Sequence, residues 1–288
     1  MDNPYRIDKK RVRVAFGKAA SGYDAAAVMQ HEVLQRMSAR LDLVKLEPEN
    51  ILDAGCGTGL GVQHLSERYR SSRVVALDIA PPMLRIAADR RPWFSRALRS
   101  RQSYVCGDIE ALPVQGGCLD MVWSNLVMQW CNDIDLTFRE FHRVLRPDGL
   151  LMFSTFGPDT LKELRHAASA DATHTHVSRF LDMHDIGDAL VRAGFADPVM
   201  DVEHFTLTYD DVLSLMRDIK AIGAHNATEG RRRGLEGKSF LQRVIAGYEG
   251  FRQQGKLPAT YEVVYGHAWK GWPVPAGDAR PITLHRRR

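Results

Sequence analysis

Asn50-Ile51-Leu52-Asp53-Ala54-Gly55-Cys56-Gly57-Thr58-Gly59 is the stretch from which the fold is read. A short apolar run ends in an acidic residue and three alternating glycines, and a helical pattern over 60–69 starts at once. Glycines after a first strand let the backbone turn sharply, approach a ligand closely and open a helix. A dinucleotide-binding loop needs G-x-G-x-x-G. Gly55 and Gly57 would then require glycine at position 60, which is Leu60, and starts at Gly57 or Gly59 fail at Val62 and His64. The register is D-x-G-x-G-x-G instead, which disfavours an NAD-dependent oxidoreductase.

Outward from this loop the chain alternates. Residues 73–78 form a second apolar run ending in Asp78, and Pro81-Pro82 opens a helix, since proline suits a first turn. Strands are expected over 103–106, 119–124 and 150–154, helices over 134–145 and 182–193, and a turn at Pro147-Asp148-Gly149. Strands alternating with helices imply right-handed crossovers and a parallel sheet covered on both faces. Residues 9–46 read as helical. After Gly194 a sixth strand is expected over 199–208, helices over 210–222 and 239–252, and a last strand over 260–266. The proline-rich end with three terminal arginines reads as disordered.

The D-x-G-x-G-x-G register resembles the first motif of class I S-adenosylmethionine-dependent methyltransferases, from residue 50 to about 154. The resemblance implies a Rossmann-like α/β fold: a seven-stranded, mostly parallel sheet with helices on both faces and a helical cap. S-adenosyl-L-methionine has an amino group and a sulfonium but no pyrophosphate, so an acidic residue near the loop suits it better than a helix N-terminus alone. The cofactor residues expected are Asp53, Ala54, Gly55, Gly57 and Gly59, then Asp78 for the ribose hydroxyls, with Ile79 and Met83 flanking the adenine. Asp108 would bond the adenine amino group, Ile109 pack on the ring, and Asn125 follow the fourth strand at the edge where open α/β sheets bind ligands.

A narrower resemblance rests on residues 15–24 (AFGKAASGYD) with Gln30, on 76–84 (ALDIAPPML), on 107–113 (GDIEALP) and on 124–131 (SNLVMQWC). With Arg179-Phe-Leu and residues 216–225 (MRDIKAIGAH), these resemble the malonyl-[acyl-carrier protein] O-methyltransferases of biotin synthesis. The resemblance spans roughly 11–265. It implies methylation of the free carboxylate of a malonyl thioester on acyl-carrier protein or coenzyme A, giving the ester that primes pimeloyl assembly. A carboxylate of reference pKa ~4 is already ionised at neutral pH, so transfer to it needs no general base. Tyr23, Gln129 and Arg179 are the candidates to hold the acceptor, a hydrogen bond to the cofactor carboxylate being the equal alternative for Tyr23, and Trp130 is a candidate wall. The basic runs 96–101 and 231–233 are candidate docking patches for an acidic carrier protein. Residues 258–261 (PATY), with 156–161 (FGPDTL), also resemble mitochondrial complex I assembly factors of the same fold, associated with arginine hydroxylation, and a non-catalytic binding module is a third reading.

The expected layout is an N-terminal helical segment (1–47) covering the cofactor site, a core (48–208), a helical cap insertion (209–257), a strand completing the core (258–272) and a tail (273–288). The 288 residues are 44% apolar and 26% charged, which excludes a disordered or collagen-like chain. A net charge of +4 is too small to argue for nucleic acid. Cys56, Cys106, Cys118 and Cys131 form no C-x-x-C pair, and His174, His176 and His184, near Asp182 and Asp185, match no zinc spacing, so no metal is expected. No run approaches the ~18 apolar residues of a membrane span, and the N-terminus lacks the apolar stretch of a secretory signal. A cytoplasmic enzyme is expected.

Overall fold

The computed structural model describes residues 5–91, 101–168, 180–224, 227–230 and 238–271. Seven strands, β1 (Asn50–Ala54), β2 (Arg73–Asp78), β3 (Gln102–Cys106), β4 (Leu119–Asn125), β5 (Leu145–Phe156), β6 (Phe195–Tyr209) and β7 (Leu257–Lys270), form one sheet in the order β3-β2-β1-β4-β5-β7-β6. All pairings are parallel except the two made by β7. The expected Rossmann-like architecture, a seven-stranded, mostly parallel sheet with helices on both faces, is the one observed.

The side-chain period of two explains the layers. Ile51, Met121, Trp123, Leu150 and Met152 point to one face, and Leu52, Val122, Leu151 and Phe153 to the other. The first face is covered by α3 (Val28–Arg40) through Val33 and Met37 and by α4 (Leu60–Arg68) through Val62 and Leu65. The second is covered by α6 (Ile134–Val144) through Phe138 and Phe141, and by α8 (Met183–Arg192) through Ile186 and Leu190. Each large apolar side chain fully buried in this way contributes about 1.5–3 kcal/mol.

Four further helices frame the carboxyl edge of the sheet: α1 (Lys9–Ala19), the single turn α2 (Tyr23–Ala26), α5 (Pro81–Asp89) and α9 (Val212–Ala221). Two more, α7 (Lys162–Ala168) and α10 (Lys238–Glu249), pack on one another and supply Ala167, Phe240 and Tyr248 to the core. The Asp8 carboxylate caps α1 by accepting from the backbone of Lys10 and Arg11, and Pro81 opens α5.

Two expectations are corrected. Residues 9–46 do not form one continuous helix: 3-10 turns at Ala20–Gly22 and Leu41–Leu43 and the break at Ala27 divide them. The Pro147–Gly149 turn does not precede β5 but interrupts it, because Leu119 pairs with Leu145 and Met121 with Leu150, so the intervening residues loop out as a bulge. The expected tail at 273–288 lies outside the described residues.

Candidate active site

The strand order reverses between β1 and β4, and in open α/β sheets a crevice forms at the carboxyl ends of the strands at such a point. Gly55, Gly57 and Gly59 all adopt left-handed backbone, φ +84°, +53° and +89°. A Cβ on Gly55 would stand 2.3 Å from the Val127 side chain, and one on Gly59 2.7 Å from Ala87, whereas one on Gly57 would meet nothing within 4 Å. Gly55 and Gly59 are therefore glycine for packing, and Gly57 leaves open space at the crevice. Opposite the loop, Leu126 takes φ +52° just after β4, a strained conformation for leucine that clusters at functional sites.

Asp53 is 2% exposed, and its Oδ2 has no protein partner. A Cβ on Gly61 would lie 2.5 Å from that oxygen, so the first turn of α4 approaches it only because residue 61 is glycine. Burial, and secondarily the charge of Asp78, pushes the Asp53 carboxyl up to about 8. Trp123 Nε1 and His31 Nε2 are likewise buried without partners, and all three side chains line one cavity with Tyr23, Gly57 and Asn125. Two of these orphans, His31 and Trp123, were not foreseen, because a histidine on a helix and a tryptophan in a strand carry no motif.

Asp78, at the end of β2, accepts from Gly57 N at 3.0 Å through Oδ2 and from Ala80 N at 2.8 Å through Oδ1. Burial raises its pKa to about 6 against these backbone bonds, which work to lower it. Each oxygen keeps acceptor capacity for a further donor. Asp78, Ile79, Met83, Asp108, Ile109 and Asn125 line a second cavity that shares Tyr23, Gly55 and Gly57 with the first. Ala54 is fully buried in the sheet and lines neither. Asp108 Oδ1 accepts from Lys9 Nζ at 2.9 Å, a cation with no signal in the sequence beyond its place in a basic run.

The N-terminal segment roofs the crevice. Phe16 stands edge-on to Trp130 at 5.3 Å, and Tyr23 lines both cavities, its hydroxyl pKa raised first by burial and then by Asp78. Three anchors fix the roof. Ile7 exchanges hydrogen bonds with the Asn132 side chain, Lys9 pairs with Asp108 and Glu110, and Asp24 pairs with Arg90 while accepting from Thr58 Oγ1.

The acceptor candidates fare differently. Gln129 lines neither cavity: its Nε2 donates to Leu126 O at 2.6 Å and its Oε1 accepts from Thr155 Oγ1 at 3.3 Å, so its amide supports the strained turn. Arg179 lies outside the described residues, as do His174, His176 and most of the two basic runs. Burial pushes the Cys131 thiol in the crevice up to about 12, which removes it as a thiolate nucleophile. Elsewhere, Asp159, His204 and Glu262 bring one ligand atom each within 4.8 Å of the others. Lys162 Nζ already pairs with Asp159, and Asp159 N donates to Glu262.

The left-handed glycine loop, the acidic ends of β1 and β2 and the switch-point crevice define a class I methyltransferase, and residues 52–153 match the methyltransferase domain family. The chain is 63% identical over 267 residues to the malonyl-[acyl-carrier protein] O-methyltransferase of Methylovorus sp. (strain MP688), covering 92% of this chain and 90% of that relative. It is 57% identical over 281 residues to the enzyme of the same name from Gallionella capsiferriformans (strain ES-2), covering 97% of each. The chain belongs to the malonyl-[acyl-carrier protein] O-methyltransferase family. Its fold is similar to that of the YcgJ protein from Bacillus subtilis, with a TM-score of 0.59 at 15% identity over 84% of this chain and 99% of that one. The likeness to complex I assembly factors is not favoured by these relatives.

Proposed function

We propose that this protein methylates the free carboxylate of a malonyl thioester carried on acyl-carrier protein, with S-adenosyl-L-methionine as methyl donor. The observation that carries the reading at the site is the buried Asp53 carboxylate, whose Oδ2 has no protein partner in a crevice built for a ligand. An unpaired buried carboxylate is costly, and a cationic ligand group offsets that cost. The donor's ammonium is such a group, and Asp53, His31, Gly55 and Gly57 surround the place assigned to it. Asp78 takes the ribose hydroxyls on its remaining lone pairs. Ile79, Met83 and Ile109 enclose the adenine, and Asp108 shares its carboxylate between Lys9 and the adenine amino group.

When bound, the donor supplies a methyl carbon on a sulfonium, which a carboxylate oxygen takes as the carbon–sulfur bond breaks, forming a methyl ester without moving a proton. The chain's own work is alignment and exclusion of water. Phe16, Tyr23 and Trp130 close the crevice, and Tyr23 is assigned as a hydroxyl donor to the acceptor carboxylate. Gln129 acts through Leu126 by holding the turn at the end of β4. Arg179 is assigned as the cation for the malonyl group on the strength of the resemblance alone.

A cytoplasmic setting is part of the proposal. All four cysteines are free, and among the described residues no helix is long and apolar enough to cross a membrane. The test is transfer of labelled methyl to malonyl-carrier protein, with acetyl-carrier protein as control. Label that requires the malonate and is released by mild base supports a carboxyl ester. Tight donor binding with no transfer to malonyl-carrier protein overturns the reading.

A further inference from the structure

Beyond the crevice lies a second chamber of about 390 Å³, within the size range of roughly 300–1,000 Å³ typical of ligand sites. Its walls come from the start of α3 (Met29, Gln30), the end of β6 (Leu207, Tyr209), α9 (Ile219) and β7 (Tyr261). It exists because β6 and β7 outrun the rest of the sheet. Phe156, the last residue of β5, pairs with Val263, so residues 257–262 of β7 project past it beside β6, about 20 Å at ~3.3 Å per residue.

Gln30 forms part of the wall of both this chamber and the cavity holding Asp53. Its carbonyl accepts from Asn125 Nδ2 at 3.1 Å, which ties the partition to the end of β4. The rim opposite is open: Val28 is 62% exposed, and Thr206, Thr208 and Asp218 are exposed.

The lining chemistry selects the occupant. Asp218 is the single ionisable carboxylate among the described lining residues, and no lysine, arginine or histidine stands with it. Tyr209 interacts electrostatically with both Tyr261 and Asp218, and with Thr206 and Thr208 these residues give a polar side to a lining whose rest is mostly apolar. A carboxylate is repelled from such a place. A neutral, extended chain of methylenes and amides fits it, with Asp218 accepting an amide N–H and the outer backbone of β6, an edge strand, free of sheet partners.

We propose that this chamber holds the amide-bearing arm of the acyl thioester, which enters at the rim of Thr206, Thr208 and Asp218 and directs its carboxylate past Gln30 into the crevice. This rests on the methyl-transfer reading above and assigns the acceptor's path within it.

The test compares kcat/KM for malonate on the full carrier-protein arm with that for a malonyl thioester cut short to an N-acetylcysteamine group. Ile219→Trp fills the chamber, and the ratio of full-arm to short-arm kcat/KM is expected to fall about tenfold or more. Asp218→Asn, nearly isosteric, is expected to lower the same ratio about threefold through KM. Donor binding by calorimetry on each variant checks that the crevice remains folded. Equal losses on both thioesters, or no loss on the carrier-borne one, overturn the arm assignment. A wild-type enzyme that methylates neither thioester instead overturns the methyl-transfer reading, and the arm assignment falls with it.

Discussion

Lys9 and Asp108, 99 residues apart, meet at 2.9 Å across the mouth of the crevice. The lysine lies on the first turn of α1 and the aspartate just past β3, so this contact is one of the three anchors that join the roof to the floor. Glu110 receives the same ammonium at 2.5 Å. Lys9 thus helps to hold the roof in place over the cavity that it and Asp108 both line.

Lys9→Met is therefore expected to raise the donor's dissociation rate. A half-buried ion pair of this kind is worth up to about 1 kcal/mol, which corresponds to roughly two- to fivefold. Stopped-flow fluorescence, with Trp130 beside Phe16 as reporter, reads this directly. An unchanged off-rate would show that the roof is held by its other two anchors alone.

Asp78→Ala removes the acceptor assigned to the ribose hydroxyls and also the partner of Gly57 N and Ala80 N. Hydrogen bonds to a charged group contribute about 1.5–3 kcal/mol, so donor affinity is expected to fall about tenfold to a hundredfold. Asp78→Asn keeps one acceptor oxygen and is expected to fall in between. Calorimetric titration measures both, and an Asp78→Ala protein that binds the donor normally refutes the ribose assignment.

The Asp53 carboxyl, raised to about 8 in the folded chain, has an ordinary value of ~3.9 when unfolded. Between those values the native state holds a proton that the unfolded state has released, so its contribution to stability is present at low pH and is lost as pH rises towards about 8. Asp78, near 6, is largely ionised by about pH 6.5, which leaves Asp53 to dominate above it. The ligand-free protein is expected to melt at a lower temperature at about pH 8 than at about pH 6.5, and Asp53→Asn to lose most of that dependence. Because a cationic ligand favours the ionised form, donor binding near neutral pH should release a proton, measurable by calorimetry in buffers of different ionisation enthalpy.

Gly55 and Gly57 separate packing from binding. Gly55→Ala drives a Cβ into Val127 and strains a left-handed residue, a loss of roughly 2–5 kcal/mol in stability. Gly57→Ala meets no neighbour, so its stability loss is about 1–2 kcal/mol, yet its methyl group occupies crevice space. Denaturant melts paired with donor titrations should show Gly55→Ala chiefly unstable and Gly57→Ala chiefly weak in binding.

The parts legible in the sequence were those whose signal is local. Three glycines in alternation, an aspartate closing β2 and a proline pair opening α5 each announce their role within a few residues. Contacts made by the fold alone were silent. Nothing near Lys9 points to Asp108, and nothing near Gln129 shows that its amide is taken up by Leu126 and Thr155. Leu126 adopts a glycine-like backbone without being glycine, so residue type hides the strain. The short α7 went unseen because seven residues carry barely two turns of periodicity. The Pro147–Gly149 bulge shortened the expected β5 because proline and glycine read as an end of pairing, not an interruption.

The final strand in chain order is interior in space: β7 sits between β5 and β6. During synthesis, β5 and β6 emerge long before the strand that joins them, and until Leu257–Lys270 leaves the ribosome each presents an unsatisfied backbone edge. The half of the sheet carrying the arm chamber is thus assembled last, by insertion. A nascent chain that stops just short of that strand already holds every residue lining the donor crevice, yet lacks the strand that carries the Tyr261 wall of the chamber.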